Sequence, residues 1–352
     1  MIDRPASADV VLAAQKIAAG DVIGLPTETV YGLAADAQNP HAVARIFALK
    51  DRPTSHPLIT HIAAEADIHY WLDETRMTPD MTDIMNALID AFWPGPLTLV
   101  LPKSPAINDA VTGGQNTIAL RCPNHALAQA VLHALSQAQH TPNVGIAAPS
   151  ANRFGRVSPT HAQHVRDEFN DQVWVLDGDA SVIGIESTII DLTRGTPVLL
   201  RHGHITPEDI FDVTGLQPLP NDAQAPRASG TLLAHYAPAT PLAWAGAAVV
   251  STDAGCLCFS KDFDTASFKQ VMRLDDQPKG YARGLYHALR ELDVAAHAQI
   301  VVEDLPSDSA WDAVRDRLKR AIVGSNMDSN INSNMNSNMN SNIGSSEGKQ
   351  HE

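Results

Sequence analysis

The sequence predicts a two-domain α/β protein, in which a large mixed β-sheet is followed by a small α/β unit. Three observations lead to this prediction. Short apolar runs alternate with helix-like segments over residues 7–205, a long stretch rich in Pro, Ala, Gly and Ser follows, and the alternation then resumes. Such alternation is typical of α/β and mixed-sheet domains, and 352 residues are enough for two hydrophobic cores.

The first unit, residues 1–213, opens with an amphipathic helix. Ser7 can cap its N-terminus, Val10 and Ile17 recur on one side, and Gly20 is placed to end it. Apolar runs follow as candidate strands at residues 22–25, 58–62, 97–101, 117–120, 144–147, 173–176, 187–192 and 198–200. Because few helices separate so many strands, we expect one large mixed sheet.

The remaining sequence divides into three parts. Residues 214–240 have neither helical nor strand periodicity and are predicted to be an interdomain linker. The second unit, 241–324, is predicted to be a small, Rossmann-like α/β domain. Its candidate strands are 247–250, 256–259 and 299–302, and its candidate helices are 281–296 and 309–323. The Asn/Ser/Met-rich tail, 325–352, is predicted to be disordered because its apolar residues are isolated.

The composition limits the class of protein. A formal net charge of -15 argues against a surface that binds nucleic acid generally. No apolar run is long enough to span a membrane, and no export signal is visible at the N-terminus, so a cytoplasmic protein is expected. The three cysteines are too few and too poorly spaced for a disulfide framework or a closed zinc site.

Polar clusters fall at the ends of predicted strands, where open α/β sheets gather their ligands. In the first cluster, PTETVYGL (26–33), Thr27 and Thr29 offer hydroxyls and Glu28 offers a carboxylate, although an ordinary turn has the same pattern. In the second cluster, LKDRPTSHPLITH (49–61), Lys50 and Arg52 face the same way if the chain is extended, and they form a cationic pair suited to a polyphosphate. Solvated surface charge is the alternative.

Two further clusters follow. Arg121 ends an apolar strand in TGGQNTIALRCP (112–123) and needs an anionic partner there, either a substrate carboxylate or an internal acid. The loop APSANRFGRVSPT (148–160) presents Ser150, Asn152 and Ser158 to phosphate oxygens, or else caps the next helix. The chain lacks the Walker, dinucleotide-binding, nucleophile-elbow and zincin motifs, which disfavours P-loop enzymes, dehydrogenases and covalent hydrolases.

Taken together, these motifs resemble the YrdC-type threonylcarbamoyl-AMP synthases. GIESTIID, LLRHG and HYAP extend the resemblance to about residue 240, and AVRDRLKRA resembles the extra C-terminal domain of the longer subfamily. The resemblance implies a twisted mixed sheet around a concave cleft, with the linker running over its mouth. Two departures are His56, where many relatives have Asn, and a missing proline before the glycine of ASGTLLAHYAP.

The resemblance also implies roles for individual residues. The L-threonine pocket is expected at Thr27, His61, Arg121, Ala148 and Ser187. The ATP site is expected at Lys50, Arg52, His56, Thr117, Ser150, Asn152, Ser158, Arg201 and Tyr236. Lys50 and Arg52 are also the expected catalytic residues, because they can neutralise charge as an anionic carbamate attacks a polyanion.

The implied reaction joins L-threonine, bicarbonate and ATP into threonylcarbamoyl-AMP for tRNA modification. Mg²⁺ is expected to arrive with ATP, without protein side chains as ligands. The product would pass to a tRNA threonylcarbamoyltransferase, so this chain need not bind tRNA itself, and no membrane partner is expected. Two alternatives are a carbamoyl-adenylating factor of hydrogenase maturation, whose zinc and acylphosphatase-like modules are missing, and an RNA-binding module, for which aromatic residues at 5% offer no stacking platform.

Overall fold

The structure is a computed structural model that describes residues 7–343, with side chains for residues 7–327. Its larger sheet has ten strands. They are β1 (Ile23–Leu25), β2 (Gly32–Asp36), β3 (Ile59–His61), β4 (Leu97–Pro102), β5 (Thr117–Arg121), β6 (Ile146–Ala147), β7 (Trp174–Val175), β8 (Thr188–Asp191), β9 (Val198–Arg201) and β10 (Leu219–Pro220). Strands lie at all eight predicted places, whereas β2 and β10 were not predicted.

The large sheet is mixed, as the sequence predicted. Its strand order is β10-β9-β8-β4-β5-β3-β6-β2-β1-β7. It contains parallel pairs, such as β3 with β5, and antiparallel pairs, such as β4 with β5. In the β3–β5 pair, His61 lies directly opposite Arg121. Because the two strands run the same way, both side chains emerge at one end of the sheet.

Within the described residues, seven α-helices accompany this sheet. They are α1 (Ala8–Ala18), α2 (Pro40–Lys50), α3 (Pro79–Phe92), α4 (Asp109–Thr112), α5 (Ala126–Gln139), α6 (Ala162–Phe169) and α7 (Pro207–Thr214). The predicted cap of α1 is confirmed, since the Ser7 hydroxyl accepts a hydrogen bond from the Val10 N–H. Val10 and Ile17 are buried on the inner face of α1, in one core cluster with residues of α5.

The second domain is built on a smaller sheet in which every pairing is parallel, in the order β11-β14-β12-β13. Its elements are β11 (Leu242–Trp244), β12 (Ala254–Cys258), β13 (Gln270–Arg273), α8 (Pro278–Val294), β14 (Gln299–Val302) and α9 (Asp312–Ile343). The predicted strand at 247–250 is wrong. That segment is irregular after a short 3₁₀ turn, and Val249 is 92% exposed, because β11 five residues earlier pairs with β14 instead.

The segment predicted as a linker packs against both domains. Within it, β10 extends the large sheet beside β9. The Arg227 N–H donates to the Gln115 side-chain oxygen (2.8 Å), and the Gln115 side-chain N–H donates to the Arg227 carbonyl (3.0 Å). Farther along, Arg320 of α9 donates to the carbonyl of Thr231 (2.8 Å), and the Ala237 N–H donates to the Gly155 carbonyl (2.8 Å). The linker is therefore attached at several points.

The C-terminal segment differs from the prediction of a domain that ends at residue 324. The backbone continues in α9 through residue 343, although residues 325–343 were predicted to be disordered, and residues 344–352 lie outside the described residues. Ser325 is buried, and its hydroxyl accepts a hydrogen bond from the Leu242 N–H (3.1 Å). The second domain therefore includes Ser325, because this contact holds the start of β11.

This contact predicts different results for two truncations. A chain ending at Met327 keeps the Ser325 hydroxyl and should have the same unfolding free energy as the full chain. A chain ending at Gly324 leaves the buried Leu242 N–H without its acceptor and should lose about 1–3 kcal/mol of unfolding free energy. Urea titration of both chains checks this, and a clear loss in the longer one would mean that residues 328–352 have a structural partner.

None of the helices within residues 7–343 is long and apolar enough to cross a membrane.

Candidate active site

The polar clusters converge on one cavity beneath the linker. Its wall is formed by the ends of β3, β5 and β9, the end of α2, the loop after β6 and the linker. The lining residues are Thr29, Val30, Lys50, Arg52, Ile59, His61, Arg121, Ala148, Pro149, Ser150, Asn152, Phe154, Glu186, Arg201, Ser229, Gly230, His235 and Tyr236. This wall carries the cations Lys50, Arg52, Arg121 and Arg201 against one carboxylate, Glu186. Such a surface favours an anionic ligand.

Lys50 is a buried cation that is held by carbonyl groups. It is the last residue of α2, and its ammonium group donates to the carbonyls of Ser150 and Asn152 (2.5 Å each). It forms no ion pair with any described residue. Burial, followed by the nearby charge of Arg52, lowers the pKa of Lys50 well below its ordinary value. An anion in the cavity would supply the missing countercharge.

Arg52 and Arg201 are also buried beside the cavity. Arg52 donates to the Pro57 carbonyl (2.9 Å), and burial lowers its pKa to about 10. Arg201 donates from Nε and Nη2 to the carbonyl and hydroxyl of Ser187 (3.0 and 3.1 Å) and from Nη1 to the Ser229 carbonyl (2.9 Å). Lys50 and Arg52 both line the cavity. They are brought there by the end of a helix and the left-handed residue Asp51, whereas the sequence analysis assumed an extended segment.

At another part of the wall, Arg121 is paired with Glu28. The nearest atoms, Arg121 Nη2 and Glu28 Oε1, are 2.7 Å apart, yet neither Glu28 oxygen has an aligned hydrogen bond. Arg121 Nη1 donates to the Thr29 hydroxyl (2.9 Å). Beside it, burial and the charge of Arg121 lower the pKa of His61 to about 3. His61 is therefore neutral at pH 7 and offers one donor and one acceptor.

Glu186 is bonded to three neighbouring side chains. Its Oε1 accepts from the Ser158 hydroxyl (2.5 Å), and its Oε2 accepts from the Tyr286 hydroxyl (2.8 Å) and from Arg317 Nε (2.9 Å). Burial alone would raise the pKa of Glu186, but Arg317 and then Arg201 lower it to about 2. This carboxylate is ionised at neutral pH and serves as an anchor rather than as a base.

The linker closes the cavity through Gly230 and Tyr236. Both residues have positive φ (77° and 62°), and a Cβ on Gly230 would lie 2.3 Å from the Tyr236 hydroxyl. Only glycine fits here. The space that the centres of water molecules can occupy in the cavity is about 30 Å³, which is room for a few waters. Pockets that hold small-molecule ligands measure about 300–1,000 Å³. A nucleotide therefore needs more room than the cavity offers in this conformation.

Most predicted site residues line the cavity, namely Lys50, Arg52, His61, Arg121, Ala148, Ser150, Asn152, Arg201 and Tyr236. The structure places the other five behind this wall. Thr27 donates to the Val30 carbonyl (2.6 Å), Ser187 holds Arg201, and Ser158 holds Glu186. His56 packs edge-on against Phe154, and Thr117 lines a smaller neighbouring cavity.

Sequence reasoning gave no committed role to several residues of the site. Of the two hydroxyls in PTETVYGL, that of Thr29 lines the cavity, whereas the Thr27 hydroxyl donates to the Val30 carbonyl. Glu28 does not line the cavity but pairs with Arg121. Glu186 lies in an apolar segment, and such a position was a signal of a buried cationic partner. Phe154 left no comparable signal, and His235 was noted only as part of HYAP.

Among the described residues, His161, His164 and His287 form the group whose ring nitrogens, all within 4.8 Å of one another, are spaced for a metal ion. The hydrogen bonds oppose that role. The Nδ1 atom of His164 accepts from the Thr160 N–H (3.2 Å), so the neutral ring carries its proton on Nε2, which faces His287 Nδ1 at 3.3 Å. The three rings form a polar contact between the domains.

Known proteins resemble this chain over nearly its whole length. The Sua5/YciO/YrdC family model, described as telomere recombination, matches residues 15–203, and the model described as threonylcarbamoyl-AMP synthase, C-terminal domain, matches residues 205–322. Threonylcarbamoyl-AMP synthase of Bacillus subtilis is 35% identical over 89% of this chain and 92% of its own length. The corresponding protein of Pyrococcus abyssi is 36% identical over 88% and 93%.

Among solved structures, P. abyssi Sua5 complexed with L-threonine superposes with a TM-score of 0.76 and 33% identity, covering 90% of this chain and 94% of that one.

Proposed function

Because this chain belongs to the Sua5/YrdC family of threonylcarbamoyl-AMP synthases, we propose that its cavity joins L-threonine, bicarbonate and ATP into L-threonylcarbamoyl-AMP, releasing pyrophosphate. The chain is a nucleotidyltransferase-type enzyme, as its curated relatives are. The observation that carries the proposal is the set of four buried cations around one closed cavity. The alternatives of a hydrogenase maturation factor and an RNA-binding module do not account for the match of both domains.

The threonine carboxylate is assigned to Arg121. Its guanidinium faces the cavity and already holds Glu28, so a second carboxylate can share it. Thr29 and neutral His61 lie beside it and offer hydrogen bonds to the substrate hydroxyl and amine. This assignment places the amino acid where the wall combines one cation with neutral polar groups.

The triphosphate is assigned to Lys50, Arg52 and Arg201. These side chains, with the loop at Ser150 and Asn152, form the more cationic part of the wall. Mg²⁺ is proposed to arrive on the phosphates of ATP and to supply further neutralisation of their charge. The lining is consistent with a metal ion that is held by the phosphates. Its carboxylate, Glu186, is already bonded to Ser158, Tyr286 and Arg317 and is not available as a metal ligand.

In the proposed reaction, the amine of threonine combines with bicarbonate to give a carbamate and water, and an oxygen of the carbamate then attacks the α-phosphorus of ATP. The new P–O bond forms as the bond to pyrophosphate breaks. No protein nucleophile is required. Lys50 and Arg52 lower the barrier by offsetting the charge of the two approaching anions and by aligning them.

The product is proposed to be used in the cytoplasm by a tRNA threonylcarbamoyltransferase. An adenylate of this kind hydrolyses in water, so the linker has a clear role in excluding water from the closed cavity. The direct test of the whole proposal is mass detection of threonylcarbamoyl-AMP and of threonine-dependent pyrophosphate release, with threonine, bicarbonate or ATP omitted in turn. An RNA mobility shift without product would favour the binding-module alternative.

Selectivity should follow from the polar groups beside Arg121. Valine is similar in shape to threonine but lacks its hydroxyl, and it would leave buried donors or acceptors of Thr29 or His61 unpaired. We expect kcat/KM for threonine to exceed that for valine by about 100-fold or more. Pyrophosphate release with each amino acid measures this ratio. Equal rates would show that the threonine pocket is assigned to the wrong residues.

Linker movement should depend on ligand. Arg227 is exposed, and its backbone is held by Gln115 in the closed conformation, so trypsin can cut there only when the linker lifts. We expect ATP with threonine to slow this cut, and Tyr236→Ala to accumulate less intact adenylate. If the rate of tryptic cleavage is the same with and without ligands, and Tyr236→Ala gives a normal yield of adenylate, the linker only connects the two domains.

A further inference from the structure

Two side chains of the second domain reach the wall of the cavity. Arg317 lies on α9 and Tyr286 on α8, and both are fully buried. Arg317 Nε and the Tyr286 hydroxyl donate to the same oxygen of Glu186 (2.9 and 2.8 Å). Glu186 lines the cavity but belongs to the first domain. Its carboxylate is therefore fixed from the other domain.

Arg317 also ties together the two segments that supply the nucleotide end. Besides Glu186, it donates from Nη2 to the carbonyl of His202 (2.9 Å). Glu186 precedes Ser187, and His202 follows Arg201, while Arg201 itself is hydrogen-bonded to Ser187. The guanidinium of Arg317 therefore contacts the segment that precedes β8 and the segment that follows β9, and these two segments position Arg201. A shift of Arg317 would move both segments.

The same pair of residues holds Tyr236 of the linker. The rings of Tyr236 and Tyr286 are stacked, with centroids 5.7 Å apart and planes at 28°. The guanidinium carbon of Arg317 lies 5.2 Å from the centre of the Tyr236 ring, which is within the range of a cation–π contact. Tyr236 is consequently fixed against the second domain as it closes the cavity.

We infer that Arg317 and Tyr286 are positioning residues for the synthesis of the adenylate. They act through Glu186, Arg201 and Tyr236 rather than by touching substrate. The inference rests on the proposed function, and it explains what the second domain contributes to the reaction. The contacts lie at the nucleotide end, whereas Arg121 and Glu28 of the threonine end have no hydrogen bond or ion pair with the second domain among the described residues.

The test compares Arg317→Met and Tyr286→Phe with the control Lys319→Met, an exposed cation on the same helix. In the first two variants we expect KM for ATP to rise or kcat to fall by about tenfold or more, the loss expected for one charge-assisted hydrogen bond. L-threonine binding, measured by calorimetry, should be unchanged. Tyr286→Phe keeps the ring and its packing, so it remains informative if Arg317→Met folds poorly.

The pH profile separates positioning from simple packing. Because Arg317 lowers the pKa of Glu186, Arg317→Met should move the acid limb of kcat to higher pH, and Arg317→Lys should move it back. Unchanged kinetic constants in a folded Tyr286→Phe variant would overturn the inference. So would losses in Arg317→Met that are equal for both substrates and at every pH. Failure of the proposed function is distinct, since the unsubstituted protein would then make no threonylcarbamoyl-AMP.

Discussion

Replacement of Glu28 by alanine is expected to lower the unfolding free energy by about 3–5 kcal/mol, because it leaves the buried Arg121 without its countercharge. Both groups are 4% exposed, so water cannot take over the role of the carboxylate. The remaining bonds of Arg121, to the Thr29 hydroxyl and the Gly95 carbonyl, involve neutral acceptors and offset only part of this loss. Urea unfolding at neutral pH measures the difference.

L-Threonine should partly rescue this variant. If its carboxylate contacts Arg121, the ligand supplies the countercharge that alanine removed, and saturating threonine should raise the melting temperature more in Glu28→Ala than in the original protein. Glu65→Ala is the matched control, because Glu65 pairs with His133 at an exposed position, where ion pairs contribute little. Equal threonine shifts in both proteins would place the substrate carboxylate elsewhere.

Replacement of Lys50 by methionine is expected to reduce turnover by about 100-fold or more, equivalent to about 3 kcal/mol of transition-state stabilisation. Its melting temperature should fall little. Lys50 has carbonyl partners and no described ion pair, so removal of a buried charge offsets the two lost hydrogen bonds. Pyrophosphate release and thermal unfolding of the same preparation measure both effects.

Lys103 provides the opposite case for comparison. Its side chain is only 8% exposed, yet it is paired with Asp109 at 3.0 Å and lies outside the cavity. Lys103→Met should therefore lose some stability and keep its turnover. If Lys50→Met retained near-normal turnover, or if Lys103→Met lost as much activity, the catalytic assignment of Lys50 would be wrong.

Much of the large sheet was predictable because its strands are short apolar runs bounded by glycine or polar residues. The strand β2 was missed because it continues directly from the PTETVYGL loop and is buried along its whole length, so it shows no alternation. The strand β13 alternates between half-buried and exposed residues at a sheet edge and lacks a strong apolar signal. The wrong strand at 247–250 is an apolar run whose valines lie in an exposed loop.

The cavity was predictable to the extent that strand ends gather ligands. Arg121 could be identified because a cation that ends an apolar strand requires an anionic partner. Lys50 was indicated by its spacing from Arg52, and Arg201 only by the family resemblance. The position of a hydroxyl within a tight loop could not be predicted, since Thr27 and Thr29 differ only in which way the turn directs them. Contacts between domains were likewise hidden, because the partner of Glu186 is 131 residues away in the chain.

A nucleotide needs more room than the cavity offers in this conformation, so we expect substrates to enter while the linker is lifted and the linker to close over them afterwards. The linker contacts with Gln115, Arg320 and Gly155 then determine how often the cavity opens. Weakening them would speed substrate entry and would also shorten the lifetime of the adenylate, because water enters through the same opening. The rate of substrate binding and the yield of product are therefore opposing outcomes of the same few hydrogen bonds.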